Sequence, residues 1–166
     1  ALYIPLVYDM FGLALLIDYF DDTVRTEQDV TRIAAPPVLA VVPVDRPIDH
    51  RPIAVSAPDE YAVEVYRALR TNLQFLALDR ALKVIQVTSS VAGEGKTTTA
   101  TNLAVVLAQS GKRVVVVDAD LRRPRVHEVF GTPRSPGLID FVMDGDATSA
   151  TRVVDLDGGA SLAVIP

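Results

Sequence analysis

Hydrophobic positions along this chain change their spacing several times, and each change marks an element. Ala62, Val65, Tyr66, Leu69, Leu73 and Leu76 recur at steps of three and four behind the capping signal Ser56-Ala57-Pro58-Asp59. That spacing predicts an amphipathic helix. Val84 to Thr88 is a short β-rich run, and Ala100, Leu103, Ala104 and Leu107 then predict a second helix that opens near Lys96 and ends at Gly111. Val114 to Val117 is a continuous β-branched run, the pattern of a strand buried on both faces of a parallel sheet. Pro136 and Gly145 bracket a short helix around Leu138 to Met143, and Leu162 to Ile165 reads as the next strand. Strand, loop, helix, strand is a βαβ unit, so the predicted class is α/β, with helices flanking a parallel sheet.

Upstream the pattern is weaker. From Ala1 to Ile17 only Asp9 is charged, but the longest uncharged stretches are eight residues each, well short of the roughly 20 that span a bilayer. By composition this is an amphipathic or core helix, and it lacks the basic start and small-residue cleavage site of a signal peptide. Asp18, Asp21 and Asp22 end it, and Thr26-Glu27-Gln28-Asp29 offers a capping-box start for a short helix to about Ile33. Six prolines between Ala35 and Pro58 then predict a tether, interrupted by an apolar run, Val38 to Val42, suited to an edge strand.

Composition narrows the function. With 49% apolar and 22% charged residues the chain can bury a core. A formal charge of −5 and scattered arginines give no field for a nucleic-acid backbone, so no nucleic-acid partner is expected. The absence of cysteine excludes disulfides, thiolate metal sites and thiol nucleophiles, so any metal must take oxygen ligands.

The chemistry concentrates between the first strand and its helix. There Thr88-Ser89-Ser90-Val91-Ala92-Gly93-Glu94-Gly95-Lys96-Thr97-Thr98 stands where a Walker A phosphate loop belongs. Gly93 and Gly95 let the backbone curl so that amides from Ala92 to Thr98 point inward, and the helix start adds its positive end. Lys96 reaches the β and γ oxygens, an attraction of about 4 kcal/mol for a pair at 4 Å with an effective dielectric near 20. Thr97 offers its hydroxyl to a magnesium ion. Ser90 stands in place of the motif's first glycine. The plain alternative is a strand-to-helix turn with an incidental lysine.

The valine run ends in Asp118-Ala119-Asp120-Leu121-Arg122-Arg123-Pro124, which puts two carboxylates at the strand edge where open parallel sheets bind ligands. Both can approach a magnesium ion or its water, and one can take a proton from an attacking hydroxyl. Their bland role is a solvated acidic strand end paired with Arg122 or Arg123. Glu64, Arg67 and Arg70 form a stripe at steps of three whose default is a solvated face with local ion pairs. His50 and His127 are isolated and carry no assigned role.

Taken together, Glu64-Val65-Tyr66-Arg67-Ala68-Leu69-Arg70-Thr71-Asn72, the loop Ser89 to Thr98, and Val117 to Pro124 closely resemble the bacterial tyrosine autokinases of capsule and exopolysaccharide synthesis. Asp18 to Thr26 resembles the point where that family's second membrane helix leaves the bilayer. The resemblance implies a P-loop NTPase fold behind the end of a transmembrane helix. It divides the chain into a helix remnant (1–20), a juxtamembrane helix and linker (21–58), and the beginning of a cytoplasmic kinase domain (59–166). It further implies a place at the bacterial inner membrane, ATP and Mg²⁺ as cofactors, and tyrosine phosphorylation coupled to polysaccharide chain length and export. By motif, Lys96 and Thr97 are the phosphate and magnesium residues, and Asp118 and Asp120 are the Walker A-prime acids, Asp118 being the expected base or magnesium-shell residue. The stripe Glu64, Arg67, Arg70 matches the family's E-x-x-R-x-x-R pattern, which serves assembly into a ring. The implied partners are further copies of the chain and the polysaccharide polymerisation and export machinery.

Two departures stand against it: no Walker B aspartate is found before Pro166, and all five tyrosines precede the loop. The expectation is a kinase fragment with little activity of its own. A regulatory ATP-binding scaffold is the rival from another class. A partition or division ATPase is a second, disfavoured because such proteins carry a further lysine where this chain has Val91.

Overall fold

The computed structural model describes Leu13 and residues 37–43, 52–56, 61–77 and 82–166. The expected capped helix to Ile33 and nearly all of the apolar opening lie outside the described residues. Among the described residues, no helix is long and apolar enough to cross a membrane. By contact the chain divides into Ala1–Val38 and Leu39–Pro166, and the second unit carries the sheet.

Its helices are α1 (Ile53–Ser56), α2 (Tyr61–Leu76), α3 (Lys96–Gln109), α4 (Val126–Phe130), α5 (Leu138–Asp144) and α6 (Ala147–Ala150), and its strands are β1 (Val115–Val117), β2 (Arg152–Asp155) and β3 (Ser161–Ile165). The sheet has the order β1-β3-β2. β1 runs parallel to β3 with Val116 opposite Val164, and β2 runs antiparallel to β3 with Val154 opposite Leu162. The sheet is therefore mixed, where an all-parallel one was expected, because β2 and β3 are joined by a tight turn that only an antiparallel pair accepts.

One register face, Val116, Val154, Leu162 and Val164, lies in the core with α3 packed across it. The second half of the helix is an apolar run, and Leu103, Ala104, Val105, Val106 and Ala108 are buried between the sheet and α2. The other sheet face is uncovered among the described residues: Val115, Val117 and Val153 are exposed. β1 is thus buried on one side, not two, since no described helix covers the second.

The expected strand Val84–Thr88 joins no sheet among the described residues, and Val84 is 85% exposed. A β-rich run favours extension, but a ladder also needs a neighbour, and none of the described strands lies beside it.

Helix α2 forms where the spacing places it, with Ala62, Val63, Tyr66 and Leu69 buried. Val63 takes the place expected of Val65, and Leu76 is exposed. Part of the expected tether belongs to the same unit. Leu39, Ala40 and Val42 pack against the core, without forming a strand. Asn72 Nδ2 donates to the Leu39 carbonyl at 2.7 Å.

Candidate active site

The loop between residue 88 and α3 takes the curl its glycines allow. Gly93 and Gly95 have φ of 89° and 87°, in the left-handed region where a side chain is strained. No non-glycine residue among those described has positive φ, so Ser90, in the place of the motif's first glycine, sits in ordinary backbone and costs the loop nothing. Its hydroxyl donates to the Glu94 carboxylate, at 3.2 Å to Oε1 and 3.3 Å to Oε2. The Val91 N–H donates to Glu94 Oε2 at 3.2 Å. These donors hold the Glu94 carboxyl below its usual range, Val91 first, with partial desolvation opposing and the serine hydroxyls adding.

Gly95 caps α3, and the first helical bond runs from the Thr99 N–H to the Gly95 carbonyl at 2.8 Å. The N–H groups of Lys96, Thr97 and Thr98 make no hydrogen bond within the chain among the described residues. They are the orphan donors of a helix start, and they suit an anion. Lys96 and Thr97 are half-buried at this mouth, and residues 91–94 are exposed.

Helix α3 turns at Ser110 and Gly111 into β1, so its first turn and the C-terminal end of β1 fall at the same end of the layer. Asp118 and Asp120 follow directly, which puts both acids at the end where the loop opens. Their environments differ. Asp118 is 5% exposed and accepts three main-chain hydrogen bonds, from Asp120 (3.1 Å), Arg125 (2.8 Å) and Val126 (2.9 Å). Asp120 is half-buried, and among the described residues only its Oδ1 is engaged, by the Arg123 N–H at 3.1 Å. The bland alternative, pairing of these acids with the side chains of Arg122 or Arg123, does not form among the described residues; their contacts are to main chain.

The stripe on α2 divides as well. Glu64 and Arg67 form an ion pair on the surface. Arg70 turns inward, and its Nη1 donates to the Val106 carbonyl of α3 at 3.1 Å. His127 lies half-buried on α4, and His50 lies outside the described residues.

Two residues that spacing did not single out fix the helix behind the loop. Asn102 is 1% exposed; its Oδ1 accepts the Ala54 N–H at 3.0 Å and its Nδ2 donates to the Thr98 carbonyl at 2.9 Å. Gln109 Nε2 donates to the Ala54 carbonyl at 3.3 Å. Tyr66 is fully buried, and its hydroxyl has no hydrogen-bond partner among the described residues. Burial raises its phenol above the usual value, with the nearby Thr99 side chain pulling the other way without the geometry of a hydrogen bond. A polar atom inside an apolar stretch was the only available signal for either.

Among the described residues no cluster of three histidine, cysteine or carboxylate side chains can hold a metal by itself. A hard cation here would complete its shell with phosphate oxygens and water, the usual state of magnesium in phosphate sites. The donor set, with uncommitted main-chain N–H groups, one ammonium, one hydroxyl and a carboxylate with a free oxygen, fits a polyphosphate with such a cation.

Fold and loop define a P-loop nucleotide-binding domain: residues 85–162 match the CbiA family, described as the CobQ/CobB/MinD/ParA nucleotide-binding domain. Within that class the chain is similar to proteins named tyrosine-protein kinases. It is 47% identical over 91 residues to tyrosine-protein kinase YwqD of Bacillus subtilis, across 55% of this chain and 38% of that protein. It is 41% identical over 90 residues to the putative tyrosine-protein kinase EpsB of Ralstonia solanacearum, across 54% and 12%. The kinase domain of Escherichia coli tyrosine kinase ETK superposes with a TM-score of 0.72 at 29% identity, covering 86% of this chain and 60% of that one. The chain thus spans well under half the length of the first two relatives.

Proposed function

We propose that this chain is the ATP-binding part of a bacterial protein-tyrosine autokinase that governs the chain length and export of an exopolysaccharide or capsule. The observation that carries the reading is the set of N–H groups at Lys96, Thr97 and Thr98 that are uncommitted among the described residues at the start of α3, with Asp118 and Asp120 following the end of β1. The kinase names of the relatives support it.

In this reading the amides from Ala92 to Thr98 cradle the β-phosphate and Lys96 neutralises the β and γ oxygens. Thr97 gives its hydroxyl to Mg²⁺. The cation, when bound, would supply charge stabilisation at the phosphates. Asp120, with one oxygen uncommitted, is the acid that meets the cation's water or a tyrosine hydroxyl. Asp118 reaches either only through lone pairs its three amides leave over, so its main contribution is to orient Asp120, whose N–H it holds. Glu64, Arg67 and Arg70 serve assembly of copies into a ring. Arg70 does so from a position already tied to α3. The domain works on the cytoplasmic side of the inner membrane, held there by the N-terminal segment and paired with the polymerisation and export machinery.

The test is incubation of the full-length protein, wild type and Lys96→Met, with labelled ATP and magnesium, followed by phosphotyrosine detection. Tyrosine labelling that disappears with Lys96→Met is the expected result. Equal labelling of both proteins overturns the kinase reading, and nucleotide binding without any tyrosine labelling leaves the regulatory scaffold.

A further inference from the structure

The loop's crest has little besides polar ties to fix it. Residues 91–94 are exposed, and a Cβ at Gly93 or Gly95 would find nothing within 4 Å. Two glycines at positive φ with no packing around them give a segment with much conformational freedom to lose on binding. What opposes that freedom is one carboxylate. Glu94 takes the Val91 N–H and the Ser90 hydroxyl, and the Ser89 hydroxyl donates to the Val91 carbonyl at 2.8 Å. The ties join residue 94, just before the helix, to residues 90 and 91 on the rising limb, and residue 89 to residue 91. None of them uses the N–H of Lys96, Thr97 or Thr98, so the carboxylate is not a stand-in for phosphate on those donors.

We propose that Glu94 is a positioning residue that braces the phosphate loop in its binding shape before ligand arrives, so that the ordering cost of nucleotide binding is already met in the free protein. Such a brace rests on the reading of this loop as a nucleotide site. An acid beside a polyphosphate also repels it, and the two effects have opposite signs. The carboxylate is exposed to water, which screens the repulsion, whereas an unbraced loop must be ordered by the ligand itself. The brace is therefore the larger effect.

Glu94→Gln keeps an acceptor oxygen for Val91 and Ser90 and removes the charge; Glu94→Ala removes both. The experiment measures amide hydrogen exchange at Val91 to Gly95 in the ligand-free proteins, the affinity for MgATP by calorimetry, and the melting temperature. Expected are faster exchange in Glu94→Ala that Glu94→Gln restores, an affinity about tenfold weaker in Glu94→Ala and within about threefold of wild type in Glu94→Gln, and melting temperatures that agree. A merely structural role would move the melting temperature with the exchange. Unchanged exchange in Glu94→Ala, or an affinity that rises in both variants, overturns the proposal. Should the wild type bind no nucleotide, the reading of the loop as a nucleotide site is what fails, and the exchange measurement alone decides the brace.

Discussion

The carboxylate of Asp118, at the end of β1, accepts the main-chain N–H of Val126, the first residue of α4, at 2.9 Å. The intervening turn is closed by the same side chain through Arg125, and Asp120 is oriented by it. The acid that follows β1 is thus also the knot of the segment that carries Asp120.

Removing that knot has a cost in stability. Asp118→Ala leaves three main-chain donors without their charged acceptor, and hydrogen bonds to charged groups contribute about 1.5–3 kcal/mol each. Partial relaxation to water brings the expected loss to about 3 kcal/mol by urea unfolding, with Asp118→Asn losing less. Asp120→Ala, which breaks one exposed contact, is expected to unfold with wild-type midpoint.

Gly137 is fixed by close approach. A Cβ there would lie 2.2 Å from the Pro166 carbonyl oxygen, the acceptor of the Leu138 N–H at 2.6 Å. Gly137→Ala must push α5 away from the end of β3, at an overpacking cost of about 1–3 kcal/mol. Thermal unfolding checks it.

Tyr66→Phe removes a fully buried hydroxyl that has no partner among the described residues. The stability of the variant is expected to equal that of the wild type or exceed it by about 1 kcal/mol, because an unmet polar group no longer has to be desolvated. A loss above about 1 kcal/mol in denaturant unfolding would show that the hydroxyl is bonded after all.

The depressed carboxyl of Glu94 sets a pH dependence. Its folded value lies below its unfolded one, so the contact contributes fully above the ordinary glutamate range and is lost as pH falls through the lower, folded value. A carbon-detected NMR titration of this carboxyl should therefore show a midpoint below the usual glutamate value, and Val91→Pro, which deletes the principal donor, should move it back up.

Arg70 and Arg67 should separate in experiment. Arg70 bonds a carbonyl of α3, so Arg70→Ala is expected to lower stability by about 1 kcal/mol. Arg67→Ala, at an exposed pair, should change it by less than about 0.5 kcal/mol. Sedimentation then reads what each contributes to assembly of the full-length protein.

The elements legible in sequence were those whose pattern depends on local spacing. Helix α2, helix α3 with its glycine-rich start, α5 between Pro136 and Gly145, and β3 all lie where periodicity and punctuation place them. What sequence could not supply was partnership. The run Val84–Thr88 has a strand's composition and no ladder among the described residues, and Val115 and Val117 have a buried strand's composition and are exposed. β2, with its alternation of Arg152, Val153, Val154 and Asp155, was too short and too polar to stand out, yet it closes one edge of the sheet. At the site, the loop and the two acids were visible from their motif and place. The difference in hydrogen bonding between Asp118 and Asp120 was not, because it depends on amides seven and eight residues away.

Asn102 also decides where this domain can be cut. With one end of its amide it grips Ala54 and with the other the first turn behind the phosphate loop. A shortened version beginning at residue 59, where the spacing of prolines invites a border, would strip away that grip and the Leu39 carbonyl that Asn72 holds. Three side-chain amides, those of Asn102, Asn72 and Gln109, would then trade protein partners for water, and the core under α2 and α3 would lose its lid. Expression designs should start ahead of Leu39.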